Sequence, residues 1–103
     1  MGKFVLAYRG GGVPATPEEG EKVMAAWMDW FGKMGDAVAD HGNPFGASKT
    51  VAANGVVSDG GGAGLTGYSI VSAAAFAAAC ELASGCPILA IGGTVDVYEA
   101  MDM

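Results

Sequence analysis

Few side chains in this sequence could move a proton or hold an anion, and they are far apart along the chain. His41 is the one histidine, and histidine is the side-chain type that exchanges a proton near neutral pH. A histidine bonded to backbone or water is the commoner use of such a residue. Arg9 could clamp a carboxylate with two parallel hydrogen bonds, or it could end in an ordinary surface ion pair.

Aromatic residues could supply the walls of a binding site. Tyr68 could present its hydroxyl to a pocket, although filling a sheet surface is the commoner use of a strand tyrosine. Trp27 and Phe31 share a helical stripe that we expect to pack on a sheet. Trp30 lies off that stripe and could face a ligand or a partner. Cys86 precedes a proline and is more typical of a buried thiol than of a nucleophile.

We expect a pocket between the sheet and the first helix, rimmed by the glycine loops at 10–12 and 59–64. Arg9, His41, Asp59 and Tyr68 are the expected lining residues, with Trp27 or Trp30 as an aromatic wall. The first glycine loop is followed by prolines rather than by a phosphate-binding motif. The cysteines are too few for a zinc site. We therefore expect no cofactor and no metal.

Composition limits the partners. The chain has 103 residues, enough for one domain spanning 1–103, and 51% are hydrophobic while only 16% are charged. So few charges favour burial of some surface in a partner subunit. The net charge is −6 and the five basic residues are scattered, so nucleic-acid binding is not expected. The sequence predicts neither a signal peptide nor a membrane span, and hence a cytoplasmic protein with Cys80 and Cys86 as free thiols.

Local signals divide the chain into two strand–helix–strand units. Thr16 as N-cap, Pro17 and Glu19 form a strong helix start, and Gly35 is the stop. A kinked or bulged second strand is expected around 42–46 and onward, and Asn54-Gly55 predicts a hairpin. The other predicted elements are a first strand at 4–8, strand segments at 48–53 and 56–58, a strand at 65–71, a second helix capped by Ser72 and ended by Gly85, and a last strand at 94–99.

This order predicts an α+β fold of the ferredoxin-like split βαβ type: an antiparallel sheet with two helices on one face. Two helices can cover only one face of a four-stranded sheet. Because the first strand is apolar at every position, we expect a second copy of the chain to cover the other face, sheet against sheet.

Several short motifs, taken together, resemble the YCII-related (DGPF) domain family. They are, in order, Tyr8-Arg9-Gly10-Gly11, the aromatic stretch 27–31, Asp59-Gly60, Gly67-Tyr68, Cys86-Pro87 and Gly93-Thr94-Val95. The resemblance spans nearly the whole chain and implies a dimeric α+β barrel. Where many members carry Asp-Gly-Pro-Phe, this chain has Asp59-Gly60-Gly61-Gly62. The resemblance also implies a fold shared by small isomerases, lyases, cofactor-free monooxygenases and non-catalytic binding modules, and a His–Asp pair in some members. For such a pair, Asp59 or Asp36 is a better partner of His41 than its neighbour Asp40, because adjacent residues on a strand point to opposite faces unless a bulge intervenes.

Two functional hypotheses follow. The first is a small-molecule-binding or regulatory module with an aromatic cleft. The second is a cofactor-independent lyase or isomerase acting on a small organic acid, in which His41 moves a proton, Asp59 assists and Arg9 holds the anion. One histidine without clustered acids provides few candidate catalytic side chains, so the sequence favours the binding module.

Overall fold

The computed structural model describes residues 2–11, 15–55, 57–60 and 64–101. Within these ranges the chain is an α+β protein with six strands and two α-helices. The strands are β1 (Gly2–Arg9), β2 (Val38–Asp40), β3 (Lys49–Val51), β4 (Val57–Asp59), β5 (Leu65–Ala73) and β6 (Thr94–Ala100). The helices are α1 (Pro17–Met34) and α2 (Phe76–Ala83), with short 3₁₀ segments at Gly35–Ala37 and Pro87–Ile91. No helix in the described ranges is both long and apolar enough to cross a membrane.

Four strands form one antiparallel sheet in the order β2-β5-β1-β6. β1 and β5 are the two central strands. β2, which follows α1, and β6, which follows α2, lie at the edges. This order is compatible with the ferredoxin-like class, so the predicted α+β sheet with two helices is confirmed at that level. β3 and β4 pair only with each other and form a separate two-stranded hairpin arm inserted between β2 and β5.

The core lies on one face of this sheet. Phe4, Leu6 and Tyr8 alternate along β1 and are buried under both helices. Phe76 of α2 packs edge-on against Phe4 with ring centroids 5.7 Å apart. Trp27 of α1 does the same against Tyr8 at 5.1 Å. The opposite side, called here the open sheet face, carries the residues between them and their cross-strand partners: Val5, Ala7, Arg9, Tyr68, Ile70, Asp96 and Tyr98.

The start of α1 matches its sequence signal. The backbone N–H of Glu19 donates to Thr16 Oγ1 at 3.1 Å, and the Glu19 carboxylate accepts from the backbone N–H of Ala15 at 3.0 Å. These bonds satisfy donors that a helix N-terminus leaves free. The helix ends at Gly35, which has a positive φ of 53°. Both predicted boundaries of α1 are confirmed.

The prediction that Trp30 lies off the buried surface of α1 is wrong. Trp30 is the buried residue of α1, and its Nε1 donates to the carbonyl oxygen of Leu82 at 3.0 Å. A Cβ on Gly85 would lie only 3.2 Å from the indole, so the glycine lets the chain after α2 approach closely. The prediction from the stripe of Trp27 and Phe31 took the sheet as the one packing partner of α1. In the structure α1 meets the sheet along one stripe and the end of α2 along the next.

The predicted cap of the second helix is also wrong. Ser72 does not cap α2: it lies in β5 opposite Lys3 of β1, and the strand continues to Ala73. The N-cap position is Ala75, which has no side-chain hydrogen bond to offer. Pairing with the central strand outweighs the local preference of serine for a cap, because it satisfies backbone groups that a cap would leave free.

The second strand is bulged as predicted, but it lies elsewhere. β2 covers only Val38–Asp40, and its register against β5 shifts between Val38 and Asp40. The predicted strand at 48–53 belongs instead to the hairpin arm, outside the main sheet. The Asn54-Gly55 hairpin itself is confirmed: the N–H of Gly55 donates to the carbonyl of Ala52 at 3.0 Å, and Gly55 has a φ of 83°.

We predict that Gly42→Ala strongly destabilises the fold. Gly42 has a φ of 76°, and a Cβ there would overlap the carbonyl oxygen of Tyr68. A strained φ alone costs more than about 1 kcal/mol, and the overlap adds to it. Gly46→Ala is the matched control, because a Cβ at Gly46 meets nothing within 4 Å and should change the free energy of unfolding by less than about 0.5 kcal/mol. Urea denaturation of both variants measures this, and equal effects would contradict the prediction.

Candidate functional site

A cleft of about 460 Å³ lies between α1 and the sheet. Gly20, Val23, Met24, Trp27 and Phe31 of α1 form one wall. The opposite wall comes from Tyr8 and residues 66–69 of the sheet. The segment 41–44 closes one side, and Ile88 borders the cleft from the second 3₁₀ segment. The predicted pocket between the sheet and the first helix is therefore present.

Aromatic rings line much of this cleft in continuous contact. Tyr8 and Trp27 meet edge-on with an interplanar angle of 78°. Trp27 and Phe31 are tilted rings 6.0 Å apart. Phe31 in turn meets the His41 ring at 4.8 Å and 67°. The predicted aromatic wall at Trp27 thus exists, and it runs from the central strand to His41.

Two short hydrogen bonds hold the sheet wall together. The Tyr8 hydroxyl donates to Ser69 Oγ at 2.6 Å, and Ser69 Oγ donates to the backbone carbonyl of His41, also at 2.6 Å. Ser69 is fully buried, where an unpaired hydroxyl would be costly. Burial raises the pKa of Tyr8 well above its ordinary value, although the hydrogen bond to Ser69 acts in the opposite direction. Tyr8 therefore stays a neutral phenol that donates to Ser69.

His41 borders the cleft, but none of the described lining residues is a carboxylate. Asp40 uses its Oδ1 to accept the backbone N–H of Gly42 at 2.8 Å. Asp59, the predicted partner, lies on the hairpin arm, where it binds Lys49 at 2.8 Å with its side chain almost fully exposed. Asp36, the other candidate, lies in the exposed first 3₁₀ segment and does not border the cleft. The predicted His–Asp convergence is therefore not formed.

Arg9 lies on the open sheet face and not in the cleft. Its Nε binds Asp96 Oδ2 at 2.5 Å. Asp96 stands opposite Ala7, and its neighbours Val95 and Val97 pack against the core. Because side chains alternate along a strand, the ion pair is on the side of the sheet away from the helices. Arg9 and His41 consequently face different sides of the same sheet. The expectation that they line one pocket is wrong, because the side chain of Arg9 alternates with that of buried Tyr8.

Tyr68 borders the cleft, but alternation puts its ring on the open sheet face, opposite Ala7. There it stacks on Phe45 with ring centroids 5.7 Å apart and an interplanar angle of 18°. The predicted rim of glycine loops is wrong for the residues that the structure describes: Gly10, Gly11, Asp59, Gly60 and Gly64 do not border the cleft. Gly12 and residues 61–63 lie outside the described residues.

Ser69 was not among the predicted site residues, although the sequence held a signal for it. A serine between Gly67 and Val71 on the inward face of an apolar strand needs a buried hydrogen-bond partner. Met24 was missed too, because it stands off the predicted packing stripe. It is 62% exposed and lines the cleft from α1.

A second groove of about 430 Å³ runs along the other side of α1, towards the 3₁₀ segment Pro87–Ile91. Trp30 borders it, together with Lys22, Asp29 and Lys33. Asp29 and Lys33 form an exposed i,i+4 ion pair at 3.1 Å. Within the described ranges no three His, Cys, Asp or Glu residues are grouped so that they could hold a metal ion.

No protein-family model matches this chain, and no curated protein matches it either. The resemblance to the YCII-related family therefore remains a hypothesis that rests on the motifs themselves.

Both cysteines are free thiols in the structure, Cys80 exposed and Cys86 buried. Cys86 is part of the buried core, as its sequence context predicted. Burial raises the pKa of its thiol from 9.0 to about 11, although a backbone hydrogen bond with Ile88 acts in the opposite direction. The folded protein thus favours the protonated thiol.

We predict that the protein loses stability between about pH 9 and about pH 11. Below this range the Cys86 thiol is protonated in both states and its contribution is complete. Above about pH 9 the unfolded thiol ionises first, which favours unfolding until the folded thiol also ionises near pH 11. Denaturation at several pH values should show a shallower decline for Cys86→Ala. Cys80→Ala, which removes the exposed thiol, controls for the loss of a cysteine, and an unchanged slope in Cys86→Ala would contradict the prediction.

Proposed function

We propose that this chain is a small-molecule-binding or regulatory module that holds an apolar ligand in the cleft. The observation that carries this proposal is the cleft itself. Its volume of about 460 Å³ lies within the range of roughly 300–1,000 Å³ usual for ligand sites. Its walls are aromatic and aliphatic, with a few polar groups among them, which is the make-up typical of such sites.

The lining favours an apolar ligand over the small organic acid predicted from the sequence. An acid would require a cation, and Arg9 was the residue expected to supply it. Arg9 is paired with Asp96 on the other side of the sheet. The described lining residues include no lysine or arginine.

A second copy of the chain is the proposed partner, as in a dimeric α+β barrel of the YCII-related type. The protomer is thin, measuring 45 × 40 × 18 Å, because helices cover only one face of its sheet. Val5 and Ile70 on the open sheet face are only half-buried, and Tyr98 is 54% exposed. The hairpin arm is exposed along both strands, and an isolated hairpin is at best marginally stable in water. The two unbridged thiols fit the proposed cytoplasmic location.

We expect the neutral dye 1-N-phenylnaphthylamine to bind in the cleft, with Met24→Asp weakening its binding by about tenfold or more, because a carboxylate would enter an apolar wall. Met28→Asp is the matched control. Met28 lies one turn further along α1, is 68% exposed, and does not border the cleft. Dye fluorescence titration measures both. Equal binding by the two variants would show that the dye does not use the cleft, and no binding by the unaltered protein would contradict the proposed function.

We expect the protein to have a dimer mass in light scattering at micromolar concentration. Ile70→Lys should shift this mass towards that of the monomer, because the dimer would bury the lysine on the open sheet face without a partner. Leu89→Lys is the control, since Leu89 is 44% exposed and lies in the 3₁₀ segment Pro87–Ile91, which is not part of the sheet. A monomer mass for the unaltered protein would remove the proposed dimer.

The alternative function is a cofactor-independent lyase or isomerase, and the position of His41 in the cleft favours it. A substrate in the cleft would lie beside the imidazole of His41, and histidine is a common general acid or base. His41→Ala should leave dye binding nearly unchanged under either function, because Phe31 and Trp27 remain. Loss of turnover in this variant, for any compound that the unaltered protein converts, would support the enzyme. Unchanged turnover would exclude His41 as its acid or base.

A further inference from the structure

We infer that the cleft selects neutral, flat aromatic compounds and rejects the corresponding carboxylates. This inference rests on the proposed function, since it names the ligand class of the same site. Ring geometry, charge and the remaining polar groups each support it.

The rings of the cleft offer surfaces suited to another ring. Trp27 meets Tyr8 edge-on on one side and Phe31 at a tilt on the other. Aromatic rings prefer edge-to-face and offset arrangements, so a flat ligand ring can extend this series with favourable contacts. Trp27 and Phe31 are only partly buried by the rest of the chain, which leaves part of both rings for a ligand.

Charge in and around the cleft disfavours an anion. The described lining residues include no Lys, Arg, Asp or Glu. Arg9 is held by Asp96 across the sheet, and the chain as a whole carries a net charge of −6. A carboxylate entering this cleft would lose its hydration without gaining a cation, which is strongly unfavourable. The negative field of the protein would also slow its approach.

The polar groups at the cleft suit a neutral substituent. Ser69 and Tyr8 are already engaged with each other and with the carbonyl of His41. Asn43 and His41 add an amide and an imidazole to the lining. Neutral groups of this kind can bond a hydroxyl or carboxamide and fix its orientation.

The test compares two ligands that differ in charge but hardly in shape: 2-naphthamide and 2-naphthoate, titrated at neutral pH and followed by tryptophan fluorescence and calorimetry. We expect 2-naphthamide to bind at least about tenfold more tightly than 2-naphthoate, because only the carboxylate must lose its charge hydration without a partner. Equal or tighter binding of 2-naphthoate would overturn the inference while leaving a small-molecule site in place. If 1-N-phenylnaphthylamine binds but neither naphthyl compound does, the inference fails and the proposed function stands. If none of the three binds to the folded protein, both fail.

A variant pair locates the selectivity. Met24→Lys puts a cation at the wall of the cleft and should tighten 2-naphthoate binding by about tenfold. Met28→Lys adds the same charge one turn away, outside the lining, and should leave the preference for 2-naphthamide as it is. Both positions are exposed, so neither change should unfold the protein, and thermal denaturation checks this. If the two variants bind 2-naphthoate equally, the selectivity does not arise in the cleft and the inference is overturned.

Discussion

The hydrogen bonds from Tyr8 to Ser69 and from Ser69 to the carbonyl of His41 are the interactions on which the cleft depends. They join the two central strands to the segment that follows β2, and both are 2.6 Å long. Ser69 is fully buried, so loss of either partner would leave a polar group unsatisfied in the core. The bonds fix the backbone at His41 and so set the position of its ring against Phe31. The cleft therefore has a wall that is held in place before any ligand arrives, which lowers the cost of binding.

The approach of the chain at Gly42 is a second constraint on the same wall. Its positive φ of 76° and the contact with the Tyr68 carbonyl bring the segment after β2 tightly over β5. Pro44 continues this contact through a bridge to Gly67, and the N–H of Phe45 donates to the carbonyl of Thr66 at 2.9 Å. The short β2 thus continues as a clamped segment that acts as one side of the cleft.

Signals contained in a few neighbouring residues were readable from the sequence. The cap at Thr16, the stop at Gly35 and the Asn54-Gly55 hairpin depend on local backbone bonds, and all three were predicted. Burial of Cys86 followed from its context. Features set by distant contacts were missed: Trp30 is buried because α2 ends against α1, and Ser72 stays in a strand because β1 pairs with it. The pocket was predicted from the glycine loops and from the aromatic stripe of α1. Which residues line it depends on the face of the sheet to which each strand residue points. Arg9 and Asp59 were expected in the lining, and neither lies there.

Alternation along β1 and β5 separates the proposed ligand site from the proposed dimer surface. Ser69 faces the cleft, whereas the ring of Tyr68, a residue that also borders the cleft, lies on the open sheet face. The segment after β2 crosses between them: His41 borders the cleft, and Phe45 stacks on Tyr68 on the open sheet face. The carbonyl of His41 is bonded to Ser69, and the chain continues from His41 through Pro44 to Phe45. A ligand that moved His41 would therefore act on a segment that also carries the ring of Phe45. A regulatory module needs a physical connection of this kind between ligand and partner, and this five-residue segment touches both surfaces.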